Sequence, residues 1–194
     1  MPLVDLVQGE RGVTRSSRTV TRGRSPMTSR RVPGLTVRHV ITQLEDAMQS
    51  PAQHPELQGW QRLVGTWATE ATHPALPGTV ITGQATFEWF EDQRFLIQRS
   101  HYDHPQIPDA IAVTGIIDGK PSMHYFDPRG VHRVFAVDIT PDTWRFWNDA
   151  PGFSQRFTGT LSDDGNAING RGELSQDDGA TWEPDLAITY RRIG

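Results

Sequence analysis

Arg99, His101 and Asp103 occupy alternate positions of one run, Gln-Arg-Ser-His-Tyr-Asp-His over 98–104. In an extended strand, alternate residues share a face, so a guanidinium, an imidazole and a carboxylate would point the same way. His124-Tyr125-Phe126-Asp127 and Arg129-Gly130-Val131-His132-Arg133 form a second dense stretch, followed by Trp144-Arg145-Phe146-Trp147 and Phe153-Ser154-Gln155-Arg156-Phe157. Arginine beside aromatic rings suits a ligand with an anionic group and an apolar body: the fork clamps the anion and the rings hold the rest. The same pattern also describes a plain sheet wall with cross-strand arginine–aromatic pairs. His101, Asp103 and His104, joined in space by His124 or His132, have the atoms for a metal site. His104-Pro105 begins a turn, however, and no metal is expected. Acid–base work by His101 or His124 with Asp103 or Asp127 is not selected by spacing.

Several chemistries are excluded by what the chain lacks. It has no cysteine, which removes disulfides, thiolate metal sites and thiol nucleophiles. There is no Gly-X-Ser-X-Gly elbow, phosphate loop or dinucleotide fingerprint. The single lysine, Lys120, lies in a Gly-Lys-Pro turn, unsuited to a desolvated Schiff-base role. Residues 56–194 carry eleven basic and nineteen acidic side chains, a net of −8, against eight arginines and four acids in 1–55. An acidic body is a poor partner for phosphate backbones, so no nucleic acid is expected. No run approaches eighteen apolar residues, so no membrane span is expected, and the N-terminus lacks the apolar core of a secretory signal. A cytoplasmic address is the expectation.

The elements that must position these groups follow from periodicity. Residues 1–34 are low in apolar content and read as a disordered tail, or as a start called too early, with Met27 and Met48 as other starts. Val37, Val40, Ile41, Leu44 and Met48 recur at helical spacing, so 35–55 reads as an amphipathic helix and linker. Leu57, Trp60 and Leu63 repeat every three residues, a short helical turn able to plug a barrel end. From there the period becomes two, giving strands near 63–72, 80–90, 94–102, 110–117, 121–126, 131–138, 142–148, 153–161, 166–175 and 181–192. Turn signals such as Asp118-Gly119, Pro151-Gly152 and Asp163-Asp164-Gly165 separate them. Short links make neighbours antiparallel. The reading for 56–194 is all-β, one antiparallel barrel of about ten strands. Alternation aims Ile81, Ala85, Phe87 and Trp89 inward, with Phe135 and Val137, Phe157, and Leu186, Ile188 and Tyr190. It also aims Phe95, Ile97, Arg99, His101, Arg133 and Gln155 inward. A ten-stranded barrel is wide enough that a cavity is expected.

Two motifs are structural. Ser175-Gln176-Asp177-Asp178-Gly179-Ala180-Thr181-Trp182 fits the Asp-box turn: Asp177 binds turn backbone, Gly179 takes positive φ, and Trp182 packs below. One copy in so short a chain argues against a propeller. Gly65-Thr66-Trp67 opens the first strand, with Arg191-Arg192 closing the last.

With LVGTWATEATHPALPG, FEWFEDQRFLIQRSHYDHP, HYFDPRGVHRV, WRFWNDAPGFSQRFTGTLSDDG and TWEPDLAITYRR, residues 60–193 resemble an uncharacterised bacterial family of small lipocalin-like (calycin) barrel proteins. The architecture is more distantly similar to nitrobindin, a ten-stranded haem barrel acting on nitrogen oxides. The resemblance implies that Trp67 closes one barrel end under an arginine, Arg191 or Arg192, with Gly65 beside it. Nitrobindin's glycine-rich start and C-terminal haem-ligating histidine are not kept: only Gly65 and Trp67 match, and the last histidine is His132. No cofactor is expected on that ground. The resulting expectation is a binding protein for a small, partly apolar, anionic molecule, with a homodimer allowed. Arg99 and Arg133 would neutralise the anion, Tyr125, Trp147 and Phe157 line the apolar part, and His101 and Gln155 orient the ligand. The alternatives are a haem-dependent or acid–base enzyme in the same cavity, and a filled barrel with an interaction role.

Overall fold

The computed structural model describes residues 55–90 and 92–194; the expected tail over 1–34 and nearly all of the helix and linker over 35–55 lie outside them. A 3-10 helix, Pro55–Leu63, is followed by ten strands: β1 Gly65–Thr72, β2 Ile81–Phe90, β3 Phe95–Tyr102, β4 Ala110–Ile117, β5 Lys120–Phe126, β6 His132–Ile139, β7 Thr143–Asn148, β8 Ser154–Leu161, β9 Ala167–Ser175 and β10 Glu183–Arg192. Each pairs antiparallel with its chain neighbours, and β1 pairs β10, which closes the barrel and leaves no sheet edge. The all-β reading and the strand count hold. No helix among the described residues is long and apolar enough to cross a membrane, a statement that does not reach β-barrels.

One barrel end is sealed by the 3-10 helix. Leu57, Trp60 and Leu63 are all buried. Trp67, fully buried, donates from Nε1 to the Leu63 carbonyl at 2.8 Å. Trp89 Nε1 reaches Gln61 Oε1 at 2.7 Å, and Arg62 donates to the Pro141 carbonyl, tying the helix to β2 and to the β6–β7 turn. Above this seal the lumen is crossed by aromatic rings. Trp144 of β7 meets Phe87 of β2 edge-on, centroids 5.6 Å apart, and also contacts Phe157 at 5.2 Å and Tyr190 at 6.1 Å. Phe146 stacks on Phe157 at 4.7 Å. A glycine on the neighbouring strand β9 makes the room: a Cβ at Gly170 would fall 2.4 Å from Phe157 Cζ.

The inward faces differ from the sequence reading in two strands. In β3 the buried residues are Leu96, Gln98, Ser100 and Tyr102, so Arg99 and His101 face outward, as do Phe95 and Ile97. Both faces of this strand carry large apolar residues, so alternation alone leaves its parity open. The turn before it, with Asp92 and Gln93 at positive φ, sets the register. In β7, Trp144 and Phe146 point inward and Trp147, 37% exposed, points out. The expectation that Arg99, His101 and Trp147 face the lumen is therefore corrected.

Candidate functional site

The arginine that covers Trp67 is Arg192, not Arg191. Trp67 and Arg192 are register partners, so they share a face, and the guanidinium carbon lies 4.1 Å from the ring centroid. Arg192 also donates to the carbonyls of Val64 (2.5 Å), Arg62 (2.7 Å) and Gly165 (3.2 Å). Arg191, one residue away, is exposed. Gly65, at φ 134°, lets this arginine approach: a Cβ there would lie 2.7 Å from the Gly194 carbonyl oxygen. This end is closed by structure.

The Asp-box turn is likewise structural. Asp177 accepts from Ser175 Oγ (2.8 Å), Thr181 N (2.8 Å) and Thr181 Oγ1 (2.7 Å), which together hold its carboxyl at about 2. Gly179 takes φ 88°, and Arg156 lies 4.1 Å over the Trp182 ring.

The opposite end of the barrel is polar. Arg133, at the first inward position of β6, donates from Nη1 to Gln155 Oε1 at 3.2 Å and lies 5.3 Å over the Phe153 ring. Gln155 is 4% exposed and its Nε2 has no hydrogen-bond partner. Phe157, next inward on β8, continues the wall in apolar form. Tyr125 is buried and donates to Asp127 Oδ2 at 3.1 Å. Burial, then the neighbouring Asp127, pushes the Tyr125 phenol far above its usual range, so it stays a donor. Burial alone would raise the Asp127 carboxyl; the Arg129 side chain and backbone donors, with the Tyr125 hydroxyl, bring it below its ordinary value. Arg129 Nη2 sits 2.6 Å from Asp127 Oδ2. Tyr102 and Tyr190 complete the set, so all three tyrosines of the chain are buried inside the barrel. Sequence reasoning named Tyr125, Arg133, Gln155 and Phe157 as ligand-binding residues, weighed Asp127 only as an acid–base candidate that spacing does not select, and missed Tyr102 and Tyr190. The inward parity of Tyr190 was legible, but its hydroxyl was not distinguished from an apolar ring.

Space in this region is limited. The void bounded by Phe135, Phe146, Gln155, Phe157 and Leu186 measures about 10 Å³, close to what one water requires. A larger ligand must part the rings or sit toward the rim.

Arg99 and His101 meet elsewhere, on the outer wall. Arg99 pairs with Glu88. His101 is held by Asp109 (2.9 Å) and Asp103 (3.4 Å), which raise its pKa, the Asp109 hydrogen bond foremost. With Gln84, Thr86, Ile111 and Phe126 they line a groove of about 460 Å³. Trp147 lies in neither place: it is exposed on β7, paired in register with Ala136 and Arg156.

Haem held by a histidine of the described residues does not fit. Among the described residues no histidine sits on an inward strand face. His101, His124 and His132 face outward, and His73, in the β1–β2 loop, is tied to Asp185 at 3.0 Å.

No protein-family model and no curated protein matches the sequence. The crystal structure of Rv2717c from M. tuberculosis aligns with a TM-score of 0.52 at 15% identity, covering 73% of this chain and 99% of that one. At that identity the likeness shows the fold alone.

Proposed function

We propose that this protein binds a small, partly apolar anion at the polar end of the barrel lumen. Arg133 supplies the positive charge, Gln155 orients the anion, and Tyr125 and Phe157 flank the apolar part. The observation that supports the reading is Gln155: a buried amide whose oxygen is engaged by an arginine while its nitrogen has no partner. A buried donor left unmade is costly, and an anion beside Arg133 would satisfy it. Arg99, His101 and Trp147 take no part, because they face the other side of the wall. The tight fit of the aromatic rings favours a second reading, a filled barrel that binds through its outer groove.

Native mass spectrometry of gently purified protein tests the first reading. A co-purified anion present in wild type and lost in Arg133→Met supports it. An adduct retained in Arg133→Met and lost in Arg99→Ala moves the site to the outer groove.

A further inference from the structure

We infer that His124 and His132 form half of a zinc-type divalent metal site on the outer wall, completed by the same two histidines of a second copy of this chain. The inference stands apart from the lumenal reading. His124 of β5 and His132 of β6 lie on neighbouring outward rows, and His124 Nδ1 stands 3.2 Å from His132 Nε2. With Zn–N bonds of about 2.0–2.1 Å, two nitrogens on a tetrahedral zinc lie about 3.3 Å apart. The pair therefore already has the spacing that a shared ion needs. Phe126 stacks on His132 at 4.7 Å and 8°, which holds that ring in its plane. A swing of the His124 ring then turns both lone pairs toward one ion, which takes the place of the proton between them.

Two imidazoles leave a tetrahedral ion two open positions. Among the described residues no three His, Asp or Glu side chains converge on one point, so the chain does not fill them from its own barrel. The set weighed from sequence does not assemble, because His101 is taken by Asp109 and Asp103. A two-fold axis through the ion supplies the missing pair, since an isologous contact presents each residue from both sides.

The wall around the pair suits such a contact. Ile111, Phe126 and His132 form one row of register partners, and Val113, His124 and Val134 form the next. Ser122, Ala136 and Trp147 form a third. None of these rows holds an Asp, Glu, Lys or Arg. Seven large hydrophobics are exposed among the described residues, and four of them, Ile111, Phe126, Val134 and Trp147, lie here. Apolar area gathered in this way marks a partner surface. The barrel is acidic as a whole, so its copies repel, and this face lets two of them meet without like charges opposed.

Sedimentation velocity and isothermal titration of the untagged full chain with zinc chloride test this. Half an equivalent of zinc per chain should double the mass, and EDTA should restore the monomer. His124→Gln and His132→Gln should each lose both effects, because each removes two of the four nitrogens. Val134→Arg, which leaves both histidines in place, should weaken the doubling by setting like charges face to face. His101→Gln should behave as wild type. One zinc per chain with no change in mass would overturn the shared site, as would the absence of zinc binding. Zinc binding that survives His124→Gln but is lost in His101→Gln would also overturn it, and so would a dimer that persists in EDTA and in both histidine variants.

Discussion

Arg133 of β6 reaches Gln155 of β8 at 3.2 Å across the intervening strand β7, and the amide it meets is buried with its own nitrogen unpartnered. The pair links a half-exposed charge at the rim to the first fully buried polar group of the lumen.

Gln155→Met removes a buried amide nitrogen that lacks a partner, gives up the hydrogen bond from Arg133 and conserves volume. Stability should hold or rise by up to about 1 kcal/mol, since the buried donor no longer lacks a partner. Binding of cinnamate, a small and partly apolar anion, should fall by about tenfold or more. Urea denaturation beside calorimetric titration measures both. A residue kept for packing would show the reverse, lower stability with unchanged binding.

Arg192→Met should destabilise the fold by about 3 kcal/mol, through lost hydrogen bonds to three carbonyls and the lost contact with Trp67. Arg191→Met, at the exposed neighbour, should stay within about 0.5 kcal/mol of wild type. Paired urea midpoints decide whether the arginine that closes the barrel is correctly assigned.

Gly170→Ala places a methyl 2.4 Å from Phe157 Cζ. The ring must move toward Trp144 and Phe146, at a cost of about 1–3 kcal/mol for overpacking. Near-ultraviolet circular dichroism should change with it, because Trp144 lies 5.2 Å from the displaced ring.

Asp177, held at about 2 by the Thr181 and Ser175 donors, contributes stability that is present above its unfolded pKa, near 4, and lost as pH falls through about 2. Stability should therefore decline between about pH 4 and pH 2, and Asp177→Asn should flatten that part of the profile while lowering stability at neutral pH. Thermal melts across the acid range provide the check.

The barrel was readable because its strands alternate and its turns carry Gly, Pro and Asp at the positions that need them. Gly119 at φ 75° and Gly152 at φ 73° punctuate the chain where expected. The polar lumen was readable in β6 and β8, where Phe135 and Phe157 leave no doubt about parity. It failed in β3, where Phe95 and Ile97 on one face compete with Leu96 and Tyr102 on the other, and a turn decides between them. It failed in β7, where two tryptophans three residues apart cannot both face inward in a strand of period two. The choice of Arg192 over Arg191 depended on a register that only pairing with β1 fixes. The rings crossing the lumen were not visible, because sequence gives the parity of a side chain and not how far it reaches.

The most direct test of the central claim is an amide chemical-shift map of the labelled protein titrated with cinnamate. Saturable shifts gathered at Tyr125, Arg133, Gln155 and Phe157, with Thr86, Arg99, Ile111 and Phe126 unmoved, are the expected result. Shifts confined to the groove formed by those last four, with the lumen silent, would contradict it.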